Sequence, residues 1–264
     1  MSPQLVVQIV NFRTRSYLER CLDGLLDELA ASGIDHRVLV LENGSGDDLA
    51  DLVAGHGDRV ELVLSADNLG FGGGHDLLAA HEDSPFLCCL NPDVAIEQRG
   101  VLRPLLAHFD DPAVVAVGPL LRTAEGAPQV WDHGELRGLR ARVANGAGHA
   151  HWRPRRQPLD VAWVSGAFLL LRRSAFAAVG GFDPRFFLYK EEEDLCLQLR
   201  RAGGRIVYDP RVSARHVGGV VARREEHLET SIARYVEKNL PHRRRRWLLE
   251  QLYLRVTRRL PSRS

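Results

Sequence analysis

Short apolar runs alternate with polar loops along the first third of the chain. The runs lie at residues 5–10, 37–41, 61–64 and 86–90. Leucines at helical spacing follow the first run, so the pattern predicts strands joined by crossover helices in a mostly parallel sheet covered on both faces. Ligands of such sheets bind at the carboxyl ends of the strands. The polar loops expected at that edge are residues 11–16, 42–48, 65–76 and 91–93.

The second half of the chain has a different pattern. Residues 123–160 are rich in Gly, Ala, Arg and His, and they predict a long irregular loop of the kind that forms lids and binding loops. Regular patterning returns afterwards. It predicts strand character over 161–171, a helix around 174–179, a helix over about 193–202 and a strand over 205–208.

Composition and charge narrow the function classes. The chain has 264 residues with 45% hydrophobic and 26% charged residues, which is typical of a globular protein. Its 35 basic and 34 acidic residues give a net charge of +1, which argues against a surface built for nucleic acid. Residues 241–264, however, hold eight arginines and one glutamate, a net +7 that leaves −6 for residues 1–240.

The basic tail has apolar residues at helical spacing. They are Leu249, Leu252, Tyr253, Val256 and Leu260. We therefore expect residues 221–264 to form a helical, basic amphipathic extension. Two alternatives stay open for it: peripheral contact with the anionic inner face of the cell membrane, or packing on the domain or on a second copy in a homodimer.

The amino-terminal residues lack the basic stretch and apolar core of a secretory signal. No apolar run has the length of a membrane span. The four cysteines show no CxxC spacing and stand within apolar stretches. We expect a cytoplasmic protein with buried, reduced thiols.

Three short segments are candidates for chemistry. The glycines of residues 68–74 do not have GxGxxG spacing and do not follow the first strand, which disfavours a nicotinamide-dependent oxidoreductase. These glycines favour either a backbone that approaches an anionic ligand or a structural turn. In residues 90–94, Asp93 follows a buried strand and Asn91 precedes it by two positions, which suits Mg²⁺ or Mn²⁺ with a diphosphate, or an Asx turn without metal.

The third segment, residues 186–195, places four consecutive acids at the start of a helix. Such acids interact favourably with the helix dipole. Crowding and neighbouring aromatic residues would also raise the pKa of a carboxyl, as a general base requires. His216, just beyond the last predicted strand, suits either a structural role or a metal ligand.

The order of these segments along the chain resembles the family-2 inverting glycosyltransferases of the GT-A fold, in their rhamnosyltransferase-like branch. The resemblance covers about residues 5–220 and rests on ENGSGD, NLGFGGG, LNPD, WVSGAFLLLRR, GGFDPRFFLYKEEEDLCLQLRRAG and the later His216. It implies a GT-A domain over residues 1–220, with a mostly parallel central sheet flanked by helices and followed by the helical tail. Within this domain, residues 123–160 would form a variable loop on the acceptor side.

The resemblance also implies the reaction. A sugar, with dTDP-rhamnose as the best single guess and another dTDP- or UDP-sugar otherwise, would pass with inversion from a nucleotide-diphosphate donor to an acceptor hydroxyl on a glycan, a lipid-linked glycan or a small molecule. A divalent metal, Mg²⁺ or Mn²⁺, would be held by Asp93 and His216. The implied donor-binding residues are Asn11, Arg13, Glu42, Asn43, Asp47, Asn68, Gly70, Phe71, Gly72, Gly73, Asn91 and Asp93.

The acceptor side and the catalytic base follow from the same resemblance. The residues facing the sugar and the acceptor would be Trp163, Ser165, Gly166, Ala167, Phe182, Asp183 and Tyr189. Trp163 suits a stacking platform or simple core packing equally. The expected catalytic acids are Glu191, Glu192 and Asp194. Glu192 stands where the family has Asp, and Asp194 is its rival as the base, so a sugar-nucleotide-binding protein with weak or lost transfer is the alternative.

Overall fold

The computed structural model of the chain describes residues 2–219, 224–240, 242, 247–249 and 252–253. The strands are β1 (Leu5–Asn11), β2 (His36–Asn43), β3 (Val60–Ser65), β4 (Phe86–Leu90), β5 (Val94–Ala95), β6 (Val114–Arg122), β7 (His133–Glu135), β8 (Leu159–Val164), β9 (Phe168–Arg172) and β10 (Arg205–His216). The helices are α1 (Arg15–Ser32), α2 (Ala50–Ala54), α3 (Gly70–His81), α4 (Leu102–Leu106), α5 (Leu139–Ala147), α6 (Arg173–Ala178), α7 (Glu191–Arg201) and α8 (Arg224–Asn239).

The strands form one sheet in the order β3-β2-β1-β4-β9-β6-β10-β8-β7, with β5 paired to β10. The first four strands are parallel, as the alternation of strands and helices predicts. β9 runs antiparallel between β4 and β6, and β8 runs antiparallel to β10. The predicted α/β class with a flanked central sheet is confirmed, and the antiparallel strands make the second half of the sheet mixed.

Apolar side chains cover both faces of this sheet. The leucines of α1 that recur at helical spacing are buried against one face, together with Val7, Ile9 and Val40. The other face packs residues of α3 and α7, among them Leu78 and Leu195. All four cysteines are buried and free, which confirms the prediction of reduced thiols.

The prediction of an irregular loop over 123–160 is wrong in part, because this segment contains β7 and α5. α5 buries small side chains, including Ala141 and Ala144, so no large apolar stripe reveals it in the sequence. β7 has three residues and depends on its pairing with β8. The acceptor-side position of the segment stays a prediction.

Two predicted boundaries also differ from the structure. His216 is the last residue of β10, not a residue beyond the strand, because β10 continues through a register shift between Asp209 and Ser213. α7 begins at Glu191, so all four consecutive acids lie in its first turn.

The described residues of the C-terminal extension contact the body of the protein. Ser231 Oγ, on α8, donates to the carbonyl of Leu188 at 2.8 Å. Further on, the rings of Tyr253 and His149 stack with centroids 4.5 Å apart. Val256, Leu260 and the tail arginines lie outside the described residues. Within the described ranges, no helix combines the length and the hydropathy that crossing a bilayer requires.

α3 lies close to the sheet because Gly74 has no side chain. A Cβ on Gly74 would lie 2.9 Å from both γ-carbons of Val10 and 3.2 Å from a methyl group of Leu41. These groups belong to buried strands of the sheet, so neither can move away freely. Gly74 therefore fixes the distance between α3 and the strands whose ends bear the polar loops.

We expect Gly74→Ala to lower the free energy of unfolding by about 2 kcal/mol, because the added methyl overpacks this contact. Gly73→Ala is the matched control, since its Cβ would meet only the Leu69 side chain, at 3.2 Å. Leu69 is 38% exposed and can move. The control should keep or gain stability, because alanine favours the helix by about 1 kcal/mol. Urea denaturation measures both, and an equal loss in both variants would contradict this account.

Candidate functional site

A cleft of about 430 Å³ lies where β1, β2, β4 and β10 end. Nine of the predicted site residues line it: Arg13, Asn43, Asn68, Gly70, Phe71, Asn91, Asp93, Tyr189 and His216. The sequence analysis missed other lining residues: Val10, Phe12, Thr14, Pro92, Phe187, Leu188, Gly219 and His227. The polar loops therefore meet at the carboxyl ends of the strands, where sheets of this topology bind ligands.

The loops after β1 and β2 are joined through Asp47. Its carboxylate accepts hydrogen bonds from Asn11 Nδ2 at 2.8 Å and from the Thr14 backbone amide at 3.1 Å. Thr14 Oγ1 in turn donates to Asn11 Oδ1 at 2.8 Å. Asn11 is fully buried, so it and Asp47 shape the loop, while Arg13 is exposed at the cleft in a left-handed conformation with φ 57°.

Glu42 and Asn43 organise the same edge. The Glu42 carboxylate accepts the backbone amide of Ser45 at 2.7 Å and the Ser45 hydroxyl, so it closes its own loop. Asn43 donates to Asn68 Oδ1 at 3.0 Å and accepts from the Leu69 amide at 3.0 Å. Asn43 therefore ties the end of β2 to the start of α3.

Gly70 brings α3 against the segment that precedes α7. Its φ of +73° lies in the left-handed region, and a Cβ there would clash with the Phe187 carbonyl oxygen. That same oxygen accepts the Phe71 amide at 3.0 Å. Gly72 approaches a different neighbour, because its Cβ would lie 2.8 Å from the Phe182 Cβ. Gly72, Gly73 and Phe182 thus lie outside the cleft lining and serve the packing of α3.

Asp93 and His216 meet across the cleft edge. Asp93 Oδ1 lies 3.4 Å from His216 Nε2, and Asp93 Oδ2 accepts the Gly218 amide at 2.8 Å. His216 Nδ1 lies 2.9 Å from Gln129 Oε1, which orients the ring. Burial acts to raise the pKa of Asp93, but the hydrogen bond and charge of His216 and the Gly218 amide lower it overall. Asp93 is therefore held as a carboxylate.

These two side chains fit one edge of a divalent metal site. A carboxylate and an imidazole are the donors that Mn²⁺ accepts, and Mg²⁺ commonly combines one or two carboxylates with phosphate oxygens and water. Three or more His, Cys, Asp or Glu side chains do not come together as a metal-binding group within the described residues. A metal here would therefore take its other ligands from a bound diphosphate and from water.

The turn between β8 and β9 lies beside this edge. The Ala167 carbonyl accepts the Asn91 amide at 2.9 Å, and a Cβ on Gly166 would lie 2.7 Å from the Phe71 ring. Ser165 Oγ accepts the Ala167 amide at 3.3 Å. Trp163 is elsewhere: it is buried against Gly134, and its Nε1 finds no hydrogen-bond partner in the described part of the chain. This placement makes Trp163 a core residue.

The acidic start of α7 holds carboxyls in an unfavourable environment. Burial, and then the charge of Glu192, raise the pKa of Glu191 well above its ordinary value. Its Oε2 is buried with no hydrogen-bond partner among the described residues. Burial and the charge of Glu193 raise the pKa of Glu192 to about 7. Near neutral pH Glu192 can therefore both accept and release a proton, as a general base must.

Asp194 has a different environment. Its two oxygens accept hydrogen bonds from Lys238 Nζ and Asn239 Nδ2, each at 2.7 Å. Lys238 also donates to Asp183 at 2.6 Å. Asp183 and Asp194 are thus anchors for α8, and their oxygens are already engaged. Of the two rivals for the base, Glu192 has the raised pKa, and neither residue is among those that line the cleft.

Lys238 contacts two of the predicted site residues, Asp183 and Asp194, and the sequence analysis missed it, although a signal existed. Only two of the 35 basic residues are lysines. Both ammonium groups reach the first turn of α7, where Lys190 pairs with Glu193 at 2.7 Å and Lys238, from α8, pairs with Asp194 at 2.7 Å. Because lysine is so rare in this arginine-rich chain, its two occurrences were a signal in the sequence that these positions have a specific role.

Comparison with solved structures identifies the fold. The mannosyltransferase PcManGT from Pyrobaculum calidifontis, in complex with GDP-Man and Mn²⁺, matches with a TM-score of 0.65 and 16% identity over 90% of this chain and 65% of that one. GalNAc-T7 with UDP, GalNAc and Mn²⁺ matches with a TM-score of 0.66 and 15% identity over 89% and 48%. The chain spans less than two thirds of either solved chain. The fold they share with it is the GT-A fold of glycosyltransferases.

Sequence comparison then gives the family. The model described as "Glycosyltransferase like family 2" matches residues 3–247, and the chain belongs to this family of glycosyltransferases. The N-acetylglucosaminyl-diphospho-decaprenol L-rhamnosyltransferase of Mycobacterium tuberculosis is 31% identical over 238 residues, 82% of this chain and 76% of that protein. The O-antigen chain rhamnosyltransferase WbaN of Salmonella anatum is 24% identical over 218 residues, 80% of this chain and 64% of that one. These relatives support the rhamnosyltransferase-like branch.

Proposed function

We propose that the protein transfers rhamnose from dTDP-rhamnose to a hydroxyl of a lipid-linked glycan, with inversion at the anomeric carbon. The observation that carries this proposal is the lining of the cleft, which includes both Asp93 with His216 and the residues Phe187 to Tyr189 that shortly precede Glu192. The rhamnosyltransferase relatives support the sugar, and the mycobacterial relative, which is named for a diphospho-decaprenol substrate, supports a polyprenyl-linked acceptor.

In this proposal Asp93 and His216 hold Mg²⁺ or Mn²⁺. When bound, the metal neutralises charge on the leaving diphosphate. Arg13 lies exposed at the same cleft and adds positive charge on the diphosphate side. Asn43 and Asn68 keep the two loops of that side in place, so the donor meets a site whose shape already exists.

Glu192 acts as the base. It takes the proton of the acceptor hydroxyl while the oxygen bonds to the anomeric carbon and the bond from that carbon to the diphosphate oxygen breaks. Because attack and departure occur on opposite faces in one displacement, the configuration inverts. The extra methylene of Glu192 relative to the Asp of the family is accommodated by an acceptor bound slightly further from α7.

The metal assignment is tested by thermal shift with Mn²⁺ and a panel of nucleotide sugars that includes dTDP-rhamnose. Saturating donor should raise the melting temperature of the wild type by about 5–10 °C in a metal-dependent way. Asp93→Asn should lose this shift because it removes the metal-binding charge, while the exposed control Asp48→Asn keeps it. A full shift in Asp93→Asn would refute the metal assignment. If the wild type shifted only with another nucleotide sugar, dTDP-rhamnose would be refuted as the donor and that sugar would take its place.

The base assignment is tested by kinetics. Glu192→Gln should lower kcat by roughly 100- to 10,000-fold while donor binding by calorimetry persists. For the wild type, kcat/KM should rise with pH to a plateau above about 7, because the base must be ionised and its pKa is raised to about 7. Transfer at the wild-type rate by Glu192→Gln, or a profile that is flat between pH 6 and 8, would eliminate Glu192 as the base.

We further propose that the C-terminal tail contacts the anionic inner face of the cell membrane. Trp247, Leu248 and Leu252 are 58%, 61% and 43% exposed, although Leu249 and Tyr253 pack on the domain. The eight arginines of residues 241–264 supply charge complementary to anionic phospholipid. An amphipathic helix of this composition lies in the plane of the interface.

Vesicle flotation tests this contact. The wild type should bind vesicles that contain phosphatidylglycerol and not vesicles of phosphatidylcholine alone. The double variant Trp247→Ser/Leu248→Ser should bind about tenfold less, because it loses apolar area that the interface would bury. Leu139→Ser, at a residue 77% exposed and distant in sequence, is the control. Undiminished flotation, or a dimer that dissociates in the double variant without lipid binding, would contradict the membrane contact.

A further inference from the structure

One ammonium group on α8 contacts both ends of the segment between Asp183 and Asp194. Lys238 Nζ lies 2.6 Å from Asp183 Oδ2 and 2.7 Å from Asp194 Oδ2. The Asp194 side chain is 2% exposed, so its oxygens have little contact with water and depend on hydrogen bonds within the protein. The hydrogen bond from Arg185, and then that of Lys238, lower the pKa of Asp183, so Asp183 is ionised beside the ammonium.

The two carboxylates stand at the two ends of a functional segment. Between them lie the cleft-lining residues Phe187, Leu188 and Tyr189, and Asp194 itself is two residues beyond Glu192. The middle of the segment is also held by α8, through the hydrogen bond from Ser231 to the Leu188 carbonyl. The segment is therefore fixed at both ends and in the centre by the same helix.

This segment needs to be held because its backbone is strained. Tyr189 and Lys190 are consecutive non-glycine residues in the left-handed region, with φ of 69° and 71°. Each such residue is unfavourable by itself, and it persists only where the surroundings impose it. The strained pair comes directly before the first turn of α7, so its conformation sets the direction in which Glu192 leaves the backbone.

We infer that Lys238 is a positioning residue, which clamps Asp183 to Asp194 and thereby fixes Glu192 and the cleft wall for transfer. This inference rests on the proposed role of Glu192. Lys238 acts through the two aspartates and does not touch the reacting atoms. The donor side, built on Asn43 and Asp93, does not involve Lys238, so the clamp affects the chemical step more than it affects donor binding.

The kinetic test uses Lys238→Met, which keeps an unbranched side chain, one atom shorter, and removes the charge. We expect kcat to fall about 100-fold, the loss that a misplacement near 1 Å produces, while the donor dissociation constant from calorimetry changes by less than about threefold. Lys238→Arg should recover most of kcat, because a guanidinium can bridge both carboxylates. Glu229→Gln, at an exposed residue of the same helix, should retain the wild-type rate.

A second measurement does not depend on activity. Hydrogen exchange followed by mass spectrometry should show faster exchange of the amides between 183 and 194 in Lys238→Met, with wild-type protection in Lys238→Arg and unchanged protection of the first four strands. A folded Lys238→Met with kcat within twofold of the wild type and unchanged exchange would overturn the inference. If no nucleotide sugar were turned over by the wild type, the proposed function would fail, and exchange alone would still decide whether the clamp exists.

Discussion

The cleft depends on one close approach between the start of α3 and the segment that precedes α7. At Gly70 the chain comes so near to the Phe187 carbonyl that no side chain fits, and the next amide donates to that oxygen at 3.0 Å. This contact connects the loop that follows the parallel strands to the segment that leads into α7. The polar loops and the segment before α7 line the same cleft because this contact holds them together. It requires both the hydrogen bond and a residue without a Cβ at position 70.

A second constraint is the distribution of charge around α7. Its first turn holds four acids, and each meets a different environment. Glu193 and Asp194 are neutralised by the two lysines of the chain, whereas the pKa values of Glu191 and Glu192 are raised, chiefly by burial. The same short sequence therefore supplies both structural anchors and titratable groups. Raised pKa values of this kind cluster at functional sites, and here they occur beside two paired carboxylates.

The sequence predicted the parallel half of the fold well because each of its strands is a local apolar run followed by a polar loop. It also placed nine residues on the cleft, because the loops meet wherever parallel strands end. β7 and α5 were missed for two reasons. The small buried side chains of α5 do not form an apolar pattern of helical spacing, and β7 depends on pairing with a strand distant in sequence. Lys238 was missed for a related reason: its partners are 44 and 55 residues away in sequence.

The position of α8 has a consequence for how the protein becomes active during synthesis. Strands β1 to β4 precede the rest of the chain and pair with one another, so they can pack as they emerge from the ribosome. The left-handed pair at Tyr189 and Lys190 gains the neighbouring contact between Ser231 and Leu188 only after α8 has also emerged. We therefore expect the loops after β1 to β4 to be in place first, and the acidic start of α7 and His216 to join them last. The cleft would then be complete only when most of the chain has been synthesised.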